Sequence, residues 1–190
     1  MGTLDGLLVV SLEQAVAAPF VSSRLADAGA RVIKIERPEG DFARNYDDVV
    51  EGYSAYFVWL NRGKESIVMD LRQPSEIRLL GSMLKKADVL IENFKTGSLK
   101  KIGIDLLEVR KRNPELITCS ISGYGSDGEW STMKAYDLLI QAETAIASIT
   151  GSIDAPGRVG VSIADIAAGM YSHSAILEAL IARGVSGHGR

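Results

Sequence analysis

The chain has 190 residues, 46% of them hydrophobic, with 21 Lys+Arg against 24 Asp+Glu and a formal net charge of −3. That is enough apolar chain for one globular domain with its own core, and the slightly acidic balance offers no general attraction to nucleic acid or to an anionic membrane. The single cysteine, Cys119, excludes an internal disulfide, no run approaches the roughly 20 apolar residues of a membrane span, and Met1-Gly2-Thr3-Leu4-Asp5 lacks the features of a signal peptide, so a cytoplasmic protein is expected.

Leu7 to Leu12 reads as a first strand, and Pro19 opens a helix through Phe20, Val21, Arg24, Leu25 and Ala28 that stops at Gly29. Arg31 to Ile35 is the second strand. Residues 38 to 65 show no clear regular pattern and hold Tyr46, Tyr53, Tyr56, Phe57 and Trp59; a long aromatic loop of this kind is often functional. Ser66 to Leu71 is a third strand, followed after Pro74 by a helix with Ile77, Leu80, Leu84 and Ala87 on one face. Asp88 to Phe94 returns as a strand, Leu106 to Arg112 as a helix, and Leu116 to Ser122 as a further strand after the breaker Pro114. Two helices finish the chain, Tyr136 to Ile149 and Ile163 to Arg183, and the turn-like Ser186 to Arg190 brings no closing element. Apolar runs alternating with helical periods predict an α/β fold in one domain: a Rossmann-like open parallel sheet with helices on both faces.

Such a sheet invites a nucleotide reading, and Glu36 ends the second strand where a ribose-binding acid belongs. The connection Glu13-Gln14-Ala15-Val16-Ala17-Ala18-Pro19, however, has no glycine to let a backbone approach a pyrophosphate. Gly63-Lys64 fails as a P-loop because Val58 and Glu65 stand where a glycine and a hydroxyl residue are needed. With only His173, His188 and Cys119 as soft ligands, no metal site is expected. Gly123 to Gly128 lacks the spacing of a nucleophile elbow. Cys119 reads as a packed thiol and His173 as a structural or exposed helix residue.

The last helix places Ile163, Ile166, Ala167, Met170, Leu177, Leu180 and Ile181 on one stripe, predicted to face the core. Asp165 lies off that stripe, on a face of small residues, Ala168, Gly169 and Ser172, that would admit a bulky ligand. Ser162-Ile163-Ala164-Asp165 also matches a capping box, so a cap and a nucleophile are both open readings, and a helix N-terminus would favour the ionised carboxylate in either. A second acidic helix start, Tyr136-Asp137, follows Lys134. Lys34, Arg37, Arg62, Lys64, Arg72, Lys95, Lys100 and Lys101 gather near predicted strand ends, where together they could hold a phosphorylated ligand.

In order along the chain stand LDGLLVVSLEQAVAAPF, LADAGARVIKIERPEGD, NRGKESIVMDL, ADVLIENFKTG, SISGYGSDG, KAYDLLIQAETAIASITG and VSIADIAAGMYSHSAILEALIARGVSGHGR. From Leu4 to Arg190 the chain resembles the class III coenzyme A transferases, the family of formyl-CoA, bile-acid and carnitine CoA-transferases and α-methylacyl-CoA racemase. The resemblance implies an enzyme in which Asp165 attacks an acyl-CoA thioester, giving a mixed anhydride and then an aspartyl-CoA thioester, before an acceptor acid takes the CoA. It implies coenzyme A as substrate, no permanently bound cofactor, and CoA contacts at Arg37, Met69, Arg72, Lys101 and Lys134. Val16 stands where the family has a polar contact. Tyr136 and Asp137 fall in the substrate pocket, and Tyr136 occupies the place of a histidine that racemase relatives use, which favours a transferase.

Gly128-Glu129 replaces a usual Gly-Pro and Thr96-Gly97 a usual Pro-Gly. Family members are about twice as long, so residues 1–190 correspond to the N-terminal part of the large domain, without the smaller domain and the returning C-terminal segment. The family implies an interlocked homodimer and, as partners, an acyl-CoA and a small carboxylic acid. The alternatives are an acyl-CoA racemase or epimerase and a non-catalytic CoA-binding fragment.

Overall fold

A computed structural model describes residues 2–190. Five parallel strands form the sheet: β1 (Leu8–Leu12), β2 (Arg31–Glu36), β3 (Glu65–Val68), β4 (Val89–Glu92) and β5 (Ile117–Ser120), in the order β3-β2-β1-β4-β5. Val9 of β1 stands between Val32 of β2 and Val89 of β4. Side chains alternate across a strand, so Val9, Val89 and Ile91 join one apolar cluster while Val10, Leu12 and Leu90 join another. Both faces of the central strands β1 and β4 are therefore buried, which is why these two read as near-continuous apolar runs.

The first cluster is closed by α1 (Ala17–Asp27) through Val21 and Leu25, and by α8 (Ile163–Ser186) through Ile176 and Ala179. The second is closed by α3 (Pro74–Leu84) through Leu80 and Leu84, with Leu99 from the single turn α4 (Ser98–Lys101) and Val109 from α5 (Leu106–Arg112) at its edge. The predicted α/β architecture, an open parallel sheet covered on both faces, is the observed one.

Several elements differ from expectation. α1 begins at Ala17, so Pro19 sits inside its first turn, where a missing N–H breaks no helical bond. The supposed loop 38–65 contains a 3₁₀ turn at Phe42–Asn45 capped by Asp41, and a helix α2 (Ala55–Asn61) capped by Ser54. In α2 only Leu60 is buried, so the aromatic run AYFVWLN carries no period to read. The predicted helix 136–149 breaks at Ala145, which adopts φ 64°, into α6 (Asp137–Glu143) and α7 (Ile146–Ile149). A short hairpin of β6 (Gly151–Ser152) and β7 (Ala155–Pro156) follows. The terminal residues pair with the sheet edge: Thr118 N–H donates to the Arg190 carbonyl at 3.0 Å and Gly189 N–H to that of Pro114 at 2.8 Å.

The predicted inward stripe of α8 holds at Leu180, which packs against the first cluster, and fails at Met170 and Ile181. Met170 and Ile181 are 57% and 72% exposed, whereas Gly169, Ile176 and Ala179 are buried. A Cβ on Gly169 would stand 3.0 Å from the Ala17 carbonyl and 2.9 Å from Phe20, so close approach of α8 to α1 selects the face with the smallest residues over the face with the largest. Asp165 lies one turn before Gly169 and shares the packed side. No helix of the described residues is long and apolar enough to cross a membrane.

Candidate functional site

Because the strand order reverses between β1 and β4, the connections leaving their C-terminal ends run to opposite faces and leave a crevice where open α/β sheets bind ligands. The connection after β1 is pinned across that crevice. Gln14 N–H donates to Asn93 Oδ1 at 3.0 Å, Asn93 Nδ2 returns a bond to the Gln14 carbonyl at 2.8 Å, and Ala15 N–H donates to Asp41 Oδ1 at 3.1 Å. Those bonds hold Ala15 at φ 63°, a left-handed conformation that costs a non-glycine residue about 1–2 kcal/mol.

Beneath the loop lies a closed charge network. Lys34 Nζ is 2.7 Å from Asp41 Oδ2 and 2.9 Å from Asn61 Oδ1, and Lys64 Nζ is 2.7 Å from Glu13 Oε1, with all four charged side chains almost fully buried. Burial pushes the Glu13 carboxyl up, but Lys64 and Lys34 overcome it and hold the group below the usual carboxylate range. Burial pulls the Lys64 ammonium down to about 8 against the attraction of Glu13. Lys34 and Lys64 are thus structural and unavailable to a phosphorylated ligand, which removes two of the cations grouped from sequence, while Arg62 pairs with Asp27 at 2.6 Å and Arg72 with Asp70 at 2.7 Å on the surface. Glu36 is likewise consumed: burial raises it, while Arg44 at 2.7 Å, Ser66 and the Asp41 N–H bring it down to about 2.

Asp165 occupies the first turn of α8, at the mouth of the crevice. The expected capping box does not form, because Ser162 makes no side-chain cap bond. The cap comes from α6 instead: Asp137 Oδ1 accepts the N–H groups of Ala164 at 2.8 Å and Asp165 at 3.3 Å. Gln141 Nε2 donates to Asp137 Oδ2 at 2.6 Å, and Gln141 Oε1 accepts the Val159 N–H at 2.8 Å. Burial, and after it the Asp137 charge, push the Asp165 carboxyl up to about 6, so the helix N-terminus does not depress it as its position alone predicts.

Two hollows border this carboxylate, and a third opens beyond Phe94. One of about 440 Å³ is lined by Phe94, Lys95, Tyr124, Lys134, Tyr136 and Asp165. A second of about 460 Å³ lies on its other side, bounded by Val16, Tyr46, Tyr56, Asp137, Arg158 and again Tyr136 and Asp165. The third, about 360 Å³, shares Phe94 with the first and is lined by Arg37, Met69 and Arg72. Hence Arg37, Met69 and Arg72 fall together, Lys134, Tyr136 and Asp165 fall together, and Val16 and Asp137 join Asp165 from the far side. Lys101 ends α4 on the surface and lines none of the three.

Sequence reasoning did not single out Asn93, Phe94, Gln14 or Arg158 as site residues. Asn93 and Phe94 could have been found, since they directly follow β4 at the strand end that faces the switch point. Burial pushes the Cys119 thiol up and, with Arg24, pulls the His173 imidazole down, and neither residue lines the three hollows. Among the described residues no group of three His, Cys, Asp or Glu is placed to hold a metal ion.

A doubly wound sheet with a basic, aromatic cleft at its switch point and a half-buried aspartate in the cleft wall has the architecture of an α/β ligand-binding protein. The chain belongs to CoA-transferase family III, whose model matches residues 4–190. It is similar to the succinate–glutarate CoA-transferase of Agrobacterium fabrum, 42% identical over 98% of this chain and 49% of that protein. The acetyl-CoA:oxalate CoA-transferase of Acetobacter aceti is also 42% identical, over 99% of this chain and 49% of that one. A CAIB/BAIF family protein from Brucella suis superposes with a TM-score of 0.94 at 44% identity, over all of this chain and 52% of its own. The chain spans about half the length of the curated relatives it matches.

Proposed function

We propose that the crevice is the site of CoA transfer between an acyl-CoA donor and a small carboxylic acid, with Asp165 as the nucleophile. The observation that carries this reading is that Asp165 borders two adjoining hollows. The first, with Lys95 and Lys134, runs past Phe94 toward Arg37, Met69 and Arg72, a path for the phosphorylated arm of coenzyme A. The second, with Tyr46, Tyr56 and Arg158, suits a carboxylic acid beside the nucleophile.

The ionised Asp165 attacks the donor thioester carbonyl, forming an aspartyl–acyl anhydride as the C–S bond breaks and CoA thiolate leaves. The thiolate attacks the aspartyl carbonyl, releasing the donor acid and leaving aspartyl-CoA. The acceptor carboxylate then displaces the thiolate to give a second anhydride. Attack of the thiolate on its acyl carbon yields the new acyl-CoA and regenerates Asp165. Every step exchanges one activated acyl group for another, with no net proton uptake. A carboxylate raised to about 6 is mostly ionised at neutral pH and more basic than an ordinary aspartate, which favours its nucleophilicity.

Related chains named for succinate, glutarate, oxalate and mesaconate support a dicarboxylic acid as the acceptor. Tyr136 at the shared wall, with no histidine lining either hollow among the described residues, favours transfer over α-proton exchange. Residues 1–190 are read as the N-terminal part of the large domain, and the homodimer implied by the family belongs to the same proposal. Intact-mass analysis after incubation with succinyl-CoA tests the chemistry: an acyl or CoA adduct mapped to Asp165 and absent from Asp165→Ala is expected. An adduct that persists in that variant would sink the assignment.

A further inference from the structure

We infer that Asp137, clamped by Gln141, is a positioning residue that fixes the first turn of α8 and so aims Asp165 into the crevice. The inference rests on the reading of Asp165 as the nucleophile. Helices are ordinarily capped by the residue that precedes them, but Ser162 makes no such bond, and the carboxylate that takes its place comes from a different helix. Both oxygens of Asp137 are used, Oδ1 by two backbone N–H groups of α8 and Oδ2 by the Gln141 amide.

Gln141 is fully buried, and its amide has one possible orientation. The oxygen must face the Val159 N–H, so the NH₂ must face Asp137, which needs an acceptor at that point. One side chain therefore ties together α6, the segment after the hairpin at Val159 and, through Asp137, the start of α8. Tyr136, the residue before Asp137, lines both hollows that flank Asp165, so the same clamp sets the wall opposite the nucleophile.

The carboxylate that caps α8 also acts electrostatically on Asp165. The other titratable or charged groups around Asp165 are Tyr46 and Tyr56 from the aromatic segment, Tyr124 after β5, Tyr136 and Lys134 before α6, Arg158 after the hairpin, and Lys95 after β4. The Tyr46 phenol is pushed up to about 12 by burial and by Asp41 and Asp165, and so stays neutral in the physiological range. Among the described residues, Asp137 is the only carboxylate besides Asp165 lining these two hollows.

The test separates position from charge by moving the negative group. Asp137→Asn alone sets two NH₂ groups against each other at 2.6 Å and is expected to loosen the fold. Combining it with Gln141→Glu restores the chain of bonds. The amide introduced at position 137 still caps α8 and donates to the carboxylate introduced at position 141, which still accepts from Val159, while the charge lies one side chain farther from Asp165. Carbon-13 NMR titration of the Asp165 carboxyl in the intact chain should then show a midpoint roughly half a unit or more below the wild-type value. Thermal stability should return to near the wild-type level.

An unchanged midpoint in a folded double variant would reduce Asp137 to a structural cap and overturn the inference. A second readout tests the position directly. Hydrogen exchange of the Ala164 and Asp165 amides should be slow in the wild-type chain and speed up in Asp137→Ala, and exchange that does not change would equally overturn the inference. Neither measurement depends on turnover, so an adduct that persists in Asp165→Ala would remove the nucleophile reading without changing what these two measurements report about Asp137.

Discussion

The sheet and the crevice wall are built on opposite terms. In β1 and β4, Val9, Val10, Leu12, Val89, Leu90 and Ile91 are without solvent exposure, and apolar residues from α1, α3 and α8 close over them. Between residues 121 and 162 the single buried residue is polar, Gln141, while large apolar side chains such as Ile149 and Ile153 stand 82% and 96% exposed. The first region is held by desolvated area, the second by a few directed hydrogen bonds. Desolvated area tolerates small shifts, whereas a clamp such as Gln141–Asp137–Asp165 loses most of its effect when one group is removed.

The sharpest way to break that comparison is to substitute on both sides of it. Glu13→Ala leaves Lys64 buried without its carboxylate partner, while Lys34 keeps Asp41, and should destabilise the chain by roughly 3–5 kcal/mol in urea denaturation. Leu84→Ala, which empties part of the core under α3, should cost about 2–5 kcal/mol in the same experiment. Leu139→Ala on the exposed side of α6 should stay within about 0.5 kcal/mol, and a loss like that of Leu84 would show that the wall is a core after all.

Next in size is a gain. Because the Asp165 carboxyl is raised to about 6 from an ordinary 3.8, its ionisation opposes folding at neutral pH, and this cost disappears as pH falls below 6. Asp165→Asn should therefore stabilise the chain at pH 7 by on the order of 1–3 kcal/mol while abolishing adduct formation, and an Asn variant no more stable than wild type would contradict the shift. In the wild type, adduct formation should decline as pH drops through about 6, where the nucleophile takes up its proton.

Glu36 and Glu13 run the other way. Their depressed carboxyls contribute stability that is complete above 4.5 and lost as pH falls toward the folded value, about 2 for Glu36, so acid unfolding should begin below about pH 4.5. Smallest of all should be the difference between two lysines. Calorimetric titration with coenzyme A should weaken roughly tenfold for Lys134→Ala, which lines the cleft, and less than about fivefold for Lys101→Ala, which lies outside it.

Much of the fold was legible because it is written in local periods. The strand run Leu7 to Leu12, the helix stripe Ile77, Leu80 and Leu84, and the alternation of such segments each lie within a few residues of chain. The aromatic helix α2 was not legible, because a helix with one buried residue has no stripe to display. The α8 stripe misled for a related reason: its largest apolar residues form the clearest pattern, yet Gly169 and Ala179 decide which side can approach α1.

By itself, then, the sequence determined the α/β class, the order of its elements, the place of Asp165 at a helix start and the motifs of CoA-transferase family III. Only the tertiary structure decided that Lys34 and Lys64 are buried partners of Asp41 and Glu13, that Asp137 caps α8 from another helix, and that Asp165 is raised where a helix N-terminus alone would lower it. The reason is physical. Periodicity is a property of neighbouring residues, but desolvation and charge pairing depend on groups brought together from distant parts of the chain, and no short pattern records what arrives there.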